Sequence, residues 1–265
     1  MYELGVIGAG HMGMAILESG IAAGFIKPAE ALAYDVSAER MKALKDKGFA
    51  AAAGTREVYE QSKQVLLAVL PQHCESVLES MKSERVTHPP VILSIVSGLS
   101  SACIRKYLGE NTPVINIVPN LTILSGLGAT AMSRTDNVPD GVFDETVRFY
   151  EEMGEVAVVA EPLLKEIIPV NGCAPGYVFY IIDAMAKAMA GIDYQDAVRL
   201  AAASFAGSAQ MLLNGDASPT ERLGQVCSPG GLTAAGVEYF NRFKLDEIIA
   251  GGMWASADRG RELAR

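Results

Sequence analysis

A glycine-rich turn near the start of the chain constrains its fold more than any other feature. The apolar segment Leu4–Ile7 is typical of a short buried strand, and Gly8-Ala9-Gly10-His11-Met12-Gly13 follows it directly. Apolar residues then recur at helical spacing from Met14 to Phe25. A second apolar segment, Ala31–Tyr34, ends at Asp35. This order of strand, glycine turn, helix, strand and acidic residue predicts the first unit of a Rossmann-type parallel sheet.

Each glycine of the turn has its own expected role. Gly8 permits the tight turn, Gly10 lets the main chain approach a pyrophosphate, and Gly13 lets the helix pack close to the sheet. Amides at the helix start then face the phosphates. The turn residues expected to contact a dinucleotide are Gly8, Ala9, Gly10, His11, Met12 and Gly13. The alternative is a glycine-rich turn that binds nothing.

Asp35 bears on which nicotinamide cofactor is used. It lies 25 residues beyond Gly10, where a carboxylate accepts hydrogen bonds from ribose hydroxyls and repels a 2′-phosphate. Ser37 and Arg40 follow closely, and arginine is a common phosphate ligand. We expect NADH to be preferred, with NADPH as the alternative.

Further apolar segments extend the sheet. Several end in Pro, Gly, Ser or Asn, which favour turns at the carboxyl ends of strands, where open α/β sheets bind ligands. The expected strands are Val65–Val69, Val91–Val96, Val114–Val118, Gly128–Met132 and Val156–Val159, and the expected helices are Cys74–Met81, Ser101–Leu108 and Val142–Met153.

The second half of the chain is predicted to be helical. Its expected helices are Leu163–Asn171, Tyr177–Ala190, Gln195–Leu213 and Leu245–Leu263. We therefore expect an α/β Rossmann domain over residues 1–160 and an all-α domain over residues 161–265. The alanine-rich segment Ala201–Ala209 lets helices approach closely, either in the core or in a dimer interface.

Composition narrows the partners and the location. The net charge of −9 argues against nucleic acid, and no apolar run is long enough for a membrane span. Four cysteines without C-x-x-C spacing suggest free thiols. No secretory signal is evident at the first residues, so we expect a cytoplasmic protein, and no metal site is expected. An apolar fraction of 50% favours a large subunit interface.

The helical half has few candidates for acid–base catalysis. The histidines are His11, His73 and His88, all in the first half. Ketone reduction needs a proton donor, usually His or Lys, whereas a protonated imine already carries its proton. A lysine-based 3-hydroxy-acid dehydrogenase stays open, with Lys165, Lys187 and Lys244 as its candidate bases. Imine reduction therefore needs no separate proton donor from the chain, whereas ketone reduction does.

A late loop combines small and hydrogen-bonding residues before a helix. Ser228 and Pro229 precede Gly230 and Gly231, whose amides open the helix, and Thr233 adds a hydroxyl. Such a helix start binds a carboxylate without a basic side chain. The alternative is a capped turn between packed helices.

Four segments together resemble the Δ1-pyrroline-5-carboxylate reductase family. They are G-A-G-H-M-G at Gly8–Gly13, V-P-N at Val118–Asn120, N-G-C-A-P-G-Y-V-F at Asn171–Phe179 and C-S-P-G-G-L-T at Cys227–Thr233. The resemblance covers nearly the whole chain. It implies a Rossmann domain, a helical domain that forms a homodimer, often in rings of dimers, and reduction of pyrroline-5-carboxylate to proline with NADPH or NADH.

The resemblance also implies site residues. Those for the substrate are Asn120, Asn171, Gln225, Ser228, Gly230, Gly231, Leu232 and Thr233. Those for the cofactor, besides the glycine turn, are Asp35, Ser37, Thr55, Ala68, Val69, Leu70, Pro71, Ile95 and Ser97. No catalytic acid or base is assigned.

Three departures from the family pattern affect the site. Leu70 replaces a lysine, Asn116-Ile117-Val118-Pro119-Asn120-Leu121-Thr122 lacks an arginine and a second proline, and S-G-S-G-P-A-Y has become Asn171–Tyr177. The last two lie where the imine ring and nicotinamide should meet. The leading hypothesis is a pyrroline-5-carboxylate reductase. The alternatives are a paralogue for another cyclic imine, the lysine-based dehydrogenase and a non-catalytic dinucleotide-binding protein.

Overall fold

The computed structural model describes residues 1–263, which form two compact units. Unit 1 comprises residues 1–173 together with the end of the last helix, from Ala257 onward. Unit 2 comprises Ala174–Ser256. Each unit has its own architecture and is described separately.

Unit 1 is built on an eight-stranded sheet in the order β3-β2-β1-β4-β5-β6-β7-β8. The strands are β1 Tyr2–Ile7, β2 Ala31–Tyr34, β3 Ala50–Ala51, β4 Ser62–Leu67, β5 Val91–Ser94, β6 Val114–Val118, β7 Gly128–Arg134 and β8 Gly154–Val158. All neighbouring strands are parallel except β6 and β7, which are antiparallel. The predicted Rossmann sheet is confirmed.

Six helices of unit 1 lie between these strands, and a seventh follows β8. They are α1 His11–Ala22, α2 Ala38–Asp46, α3 Thr55–Gln61, α4 Cys74–Met81, α5 Ser101–Leu108, α6 Asp140–Glu151 and α7 Glu161–Ile167. Short 3₁₀ turns occupy Pro28–Glu30, Pro71–His73 and Leu121–Ser125.

The sheet of unit 1 is apolar on both faces. On β1, Val6 joins a core cluster with Leu17 and Phe143, whereas the next residue, Ile7, joins a second cluster with Leu78. Successive strand residues point to opposite faces, so a strand covered on both sides is apolar without alternation. This explains why the apolar segments of the sequence located the central strands.

Unit 2 is helical, as predicted. Its helices are α8 Ala174–Lys187, α9 Tyr194–Leu213, α10 Pro219–Val226, α11 Leu232–Arg242 and α12 Leu245–Leu263, the last of which ends in unit 1. Asp193 caps α9 by accepting the amides of Gln195 (2.9 Å) and Asp196 (3.3 Å). Ser218 and Glu221 form a capping box on α10.

Unit 2 leaves many large apolar side chains in contact with solvent. Tyr180, Leu200 and Trp254 are each more than 60% exposed. A single chain has no reason to expose so much apolar surface on packed helices. None of the described helices is both long and apolar enough to cross a bilayer.

The last turns of α12 are tied to α7. Arg261 donates to both carboxylate oxygens of Glu166, at 3.4 Å and 2.6 Å, and this pair lowers the pKa of Glu166 below its ordinary value. Helix α7 also packs against β7. The compact unit therefore runs to Cys173, while the domain boundary expected after residue 160 stays a prediction.

Candidate functional site

A cleft of about 1280 Å³ opens at the carboxyl ends of the parallel strands of unit 1. All the residues predicted to contact a cofactor line it except Ala9 and Ser37. Those that do are Gly8, Gly10, His11, Met12, Gly13, Asp35, Thr55, Ala68, Val69, Leu70, Pro71, Ile95 and Ser97. Sequence order and sheet topology together bring these distant segments to one edge.

The glycine turn has the geometry that its sequence predicts. Gly8 has a φ of +95°, and a Cβ there would lie 2.5 Å from the carbonyl oxygen of Ala68. A Cβ on Gly13 would lie 2.8 Å from the carbonyl oxygen of Gly8. A Cβ on Gly10, in contrast, would meet nothing within 4 Å. Packing therefore requires glycine at Gly8 and Gly13, whereas Gly10 leaves open space above the main chain.

That open space lies at the start of α1. Gly10 is the N-cap residue, and no side chain caps the amides of the first turn, at His11, Met12 and Gly13. The amides and the helix dipole favour an anion at this point. The cradle therefore fits the pyrophosphate of a dinucleotide.

Asp35 is buried, and main-chain groups use both of its carboxylate oxygens. Oδ2 accepts the amide of Ala9 at 2.7 Å, and Oδ1 accepts the amide of Ser37 at 2.8 Å. A guanidinium nitrogen of Arg40 lies 3.5 Å from Oδ2. The carboxylate thus ties the glycine turn to the loop after β2. Ala9 and Ser37 reach the site through this carboxylate and not by lining the cleft.

Two arginines line the same end of the cleft. The side chain of Arg40 is 52% exposed, and Arg56 at the start of α3 is also exposed. Sequence reasoning noted Arg40 and missed Arg56, because α3 itself was not predicted. The other lining residues missed at this end are Tyr34, Val36, Gly54, His73, Ser76, Val77 and Ser80.

The opposite end of the cleft is mainly apolar. Its lining residues come from β6 and from the segment after α7, and they are Ile117, Val118, Pro119, Ile168, Gly172 and Cys173. Ile95 and Ser97 follow β5 and line the cleft as well. The cleft thus has a polar end with two arginines and an apolar end.

Asn120 and Asn171, expected to bind substrate, do not line this cleft. Asn120 donates from Nδ2 to the carbonyl oxygen of Asn171 (3.1 Å), and Asn171 donates from Nδ2 to that of Val118 (2.8 Å). Both residues are buried. Their side chains are engaged by main-chain groups, so a direct substrate contact stays a prediction that this geometry does not favour.

Glu161 joins three elements behind the apolar end. Its carboxylate accepts the amide and hydroxyl of Ser101, at 2.7 Å and 2.5 Å, and the side-chain amide of Asn116 at 3.2 Å. It thereby connects the start of α7 with the start of α5 and with β6. These bonds hold the loop that carries Ser97.

The late glycine loop opens α11 in unit 2. Gly230 has a φ of +71°, Gly231 is the N-cap residue, and no side chain caps the first turn. The amide of Gly231 donates to the carbonyl oxygen of Ser228 at 2.9 Å, and Thr233 is exposed. The loop is therefore accessible, and its helix start can accept a small anion.

Two more of the predicted substrate residues lie around this loop. Leu232 is almost fully exposed at the first position of α11. Gln225, near the end of α10, accepts a hydrogen bond from Arg222 at 3.2 Å. The structure thus groups Gln225, Ser228, Gly230, Gly231, Leu232 and Thr233 around one helix start.

The candidate bases of a lysine-dependent dehydrogenase have other surroundings. Lys187 donates to Asp183 at 2.6 Å, and this bond raises the pKa of Lys187. Lys244 pairs with Glu247 at 2.9 Å, and Lys165 is exposed on α7. No lysine of residues 1–263 lines the cleft. The geometry gives this alternative no support.

Comparison with known proteins adds family information to this geometry. A family model described as "Pyrroline-5-carboxylate reductase dimerisation" matches residues 161–263. A second, described as "NADP oxidoreductase coenzyme F420-dependent", matches residues 3–98. The pyrroline-5-carboxylate reductase of Escherichia coli strain K12 is 29% identical over 266 residues, covering 99% of this chain and 98% of its own length.

Solved structures share the fold over the same length. A pyrroline-5-carboxylate reductase from Coxiella burnetii has a TM-score of 0.91 at 24% identity, covering 100% of this chain and 99% of that one. A pyrroline carboxylate reductase from Plasmodium falciparum, solved with NADP bound, has a TM-score of 0.87 at 21% identity, covering 100% and 98%. The chain is thus similar to pyrroline-5-carboxylate reductases over its full length, with the dimerisation model matched at residues 161–263 and the oxidoreductase model matched at residues 3–98.

Proposed function

We propose that this protein reduces 1-pyrroline-5-carboxylate to L-proline with a reduced nicotinamide dinucleotide. The observation that carries the proposal is the exposed, uncapped start of α11 behind Ser228-Pro229-Gly230-Gly231. This is a carboxylate site of the kind that a small imino acid requires. The sequence similarity to reductases over the full chain supports the same reaction.

The proposed chemistry asks little of the protein's own side chains. The bound dinucleotide supplies the hydride. The imine nitrogen enters protonated, so hydride addition at the C=N carbon yields a neutral amine without a separate acid. The chain binds the carboxylate through the amides of Leu232 and Thr233 and the hydroxyls of Ser228 and Thr233, while the amide of Gly231 stays bonded to the carbonyl oxygen of Ser228. Its work is to orient the reactants and exclude water.

The first test of this proposal is Thr233→Ala. Losing a hydrogen bond to a charged group costs about 1.5–3 kcal/mol, so KM for pyrroline-5-carboxylate should rise roughly tenfold to hundredfold. The measurement is steady-state loss of reduced-nicotinamide absorbance. Thr220→Ala removes the same group from an exposed position on α10 and should leave KM unchanged.

The outcomes of that assay separate the alternatives. An unchanged KM in Thr233→Ala removes the hydroxyl from the substrate site. Turnover of a six-membered imino acid in place of pyrroline-5-carboxylate would identify a paralogue with another substrate. Turnover of 3-hydroxy acids would support the dehydrogenase, and cofactor binding with no turnover of any of these would support the non-catalytic protein.

For the cofactor we propose NADPH in place of the NADH expected from the sequence. The expectation rested on a carboxylate free to bind ribose, whereas the oxygens of Asp35 accept the amides of Ala9 and Ser37. Arg40 partly neutralises the charge of Asp35, and Arg56 adds a second cation at the same end of the cleft. Guanidinium groups suit a 2′-phosphate.

Arg40→Ala tests the cofactor proposal. Its kcat/KM with NADPH should fall roughly tenfold, the usual effect of losing a charged hydrogen bond, while kcat/KM with NADH changes little. Lys42→Ala, an exposed cation on the same helix, is the control. A wild-type protein that uses NADH more efficiently than NADPH would contradict the proposal.

We further propose a homodimer formed through the helical half. The dimerisation model covers residues 161–263, and the exposed apolar side chains of unit 2 supply the surface. Sedimentation equilibrium should detect a dimer at micromolar concentration, and a monomer there would contradict this. Rings of dimers and a cytoplasmic location remain proposals, the latter consistent with free thiols at all four cysteines.

A further inference from the structure

Two buried asparagines cross-link the walls of the apolar end of the cleft. Asn120 follows β6, and Asn171 follows α7, 51 residues later in the chain. Nδ2 of Asn120 donates to the carbonyl oxygen of Asn171 at 3.1 Å, while Nδ2 of Asn171 donates to the carbonyl oxygen of Val118 at 2.8 Å. Each asparagine thus holds main chain of the other segment.

The side-chain oxygens of the pair are also engaged. Oδ1 of Asn171 accepts the amide of Gly172 at 2.6 Å. Oδ1 of Asn120 accepts the amide of Ala129 at 3.1 Å and the hydroxyl of Thr122 at 2.8 Å. The two side chains are about 95% buried, and a buried amide keeps its orientation because breaking its bonds leaves polar groups unsatisfied.

The segments joined in this way are themselves the cleft wall. Val118 and Pro119 line the cleft on the β6 side, and Gly172 and Cys173 line it on the α7 side. This end lies away from the arginine end, so it is the end for the nicotinamide of a dinucleotide whose adenosine lies near Arg40. The asparagines themselves line no part of it.

We propose that Asn120 and Asn171 are positioning residues that set the width of the nicotinamide end and thereby the ring size of the imine reduced there. The part of this proposal that concerns the ring size of the imine rests on the proposed imine reduction. The asparagines act through the Val118–Pro119 and Gly172–Cys173 main chain and touch no ligand. The wall that the asparagines fix is apolar, so it can distinguish five-membered from six-membered imines only by their shape. The position of the wall therefore sets the ring selectivity.

The principal test variant is Asn171→Asp. It keeps the size and the acceptor for the amide of Gly172, but it places an oxygen against the carbonyl oxygen of Val118. The control is Asn137→Asp: Asn137 likewise donates from Nδ2 to a distant main-chain carbonyl oxygen, that of Asn111 at 2.8 Å, and does not line the cleft. Asn171→Ser, which cannot reach Val118, serves if the aspartate variant fails to fold.

Two measurements distinguish a positioning role of the asparagines from a general loss of stability in the variant. The first is the ratio of kcat/KM for pyrroline-5-carboxylate to that for its six-membered analogue, which should shift by about tenfold or more in Asn171→Asp. The second, independent of turnover, is the fluorescence lifetime of bound NADPH. It should change because the nicotinamide surroundings change, while Kd stays within about threefold because the arginine end is intact.

The results separate the two proposals. A wild-type protein that reduces no imine overturns the proposed function, and the lifetime measurement still decides the role of the asparagines. An unaltered lifetime and ring ratio in a folded Asn171 variant, with only a lower Tm, would show that the asparagines are structural and overturn the positioning role. If Asn137→Asp changes the ratio of kcat/KM values and the NADPH lifetime as much as Asn171→Asp does, the positioning role is overturned too.

Discussion

Replacing Asp35 with asparagine tests whether this residue is an anchor for the turn or a ligand for ribose. The carboxylate accepts two main-chain amides, from Ala9 at 2.7 Å and from Ser37 at 2.8 Å. Asparagine has the same shape but only one acceptor oxygen. Its NH₂ group must face one of the two amides, so that donor loses its partner inside the protein.

The structure sets the size of the expected effect. One charge-assisted hydrogen bond is lost in a site where Asp35 is only 7% exposed, which costs about 2–3 kcal/mol of unfolding free energy. This is a large part of the roughly 5–15 kcal/mol that stabilises a typical domain. At about 2–4 °C per kcal/mol for a chain of this length, Tm should fall by about 4–12 °C.

Thermal unfolding followed by circular dichroism measures this difference. Asp46→Asn removes the same charge from an exposed position at the end of α2, and its Tm should stay within about 2 °C of the wild type. Kinetics with both cofactors complete the assay. If Asp35→Asn keeps the wild-type Tm while KM rises for NADH alone, the carboxylate is a ribose ligand, and the anchor role is wrong.

The glycine turn and the end of the last helix give further predictions. Gly10→Ala should fold normally, because its Cβ meets no atom, yet bind NADPH at least about tenfold more weakly in a fluorescence titration, because the Cβ enters the phosphate space. Gly8→Ala should instead lower Tm, since φ is +95° and Ala68 blocks the Cβ; equal Tm values for the two variants would contradict this. Arg261 holds the pKa of Glu166 below its ordinary value of 4.5, so this pair stabilises the fold above that pH and loses its effect as pH falls through the lowered pKa. Glu166→Gln should therefore have a slightly lower Tm than the wild type at pH 7 and an equal Tm in strong acid, and a gap that widens in acid would refute this.

Strands and helices with a strong apolar pattern could be predicted from the sequence, whereas those with few buried apolar residues could not. The ranges Ala31–Tyr34 and Val114–Val118 were predicted with the bounds the structure has, because both strands are covered on both faces. Helix α2 was missed because Leu44 is its only buried residue, which leaves no helical stripe to detect. Strand β3 has two residues, too few for any pattern.

The site shows the same division between local and long-range information. The role of Gly13 follows from its close approach to Gly8 within one strand–turn–helix unit, so a spacing rule predicts it, whereas the close contact at Gly8 is with Ala68, beyond β4. The bond between Asp35 and the amide of Ala9 spans 26 residues, and the bonds that Nδ2 of Asn120 and Nδ2 of Asn171 donate span 51 and 53 residues. Residue type and order indicated that these positions matter, but only the folded chain shows that main-chain groups occupy them.

Unit 1 is discontinuous, and this affects the order in which the protein can be completed during synthesis. Residues 1–173 leave the ribosome before Arg261, the partner of Glu166, has been translated. The bond between Glu166 and Arg261 therefore forms only after Ala174–Ser256 of unit 2 has been synthesised. Deleting the segment that starts at Ala257 should consequently lower the stability of unit 1, although unit 2 separates that segment from the sheet in the sequence.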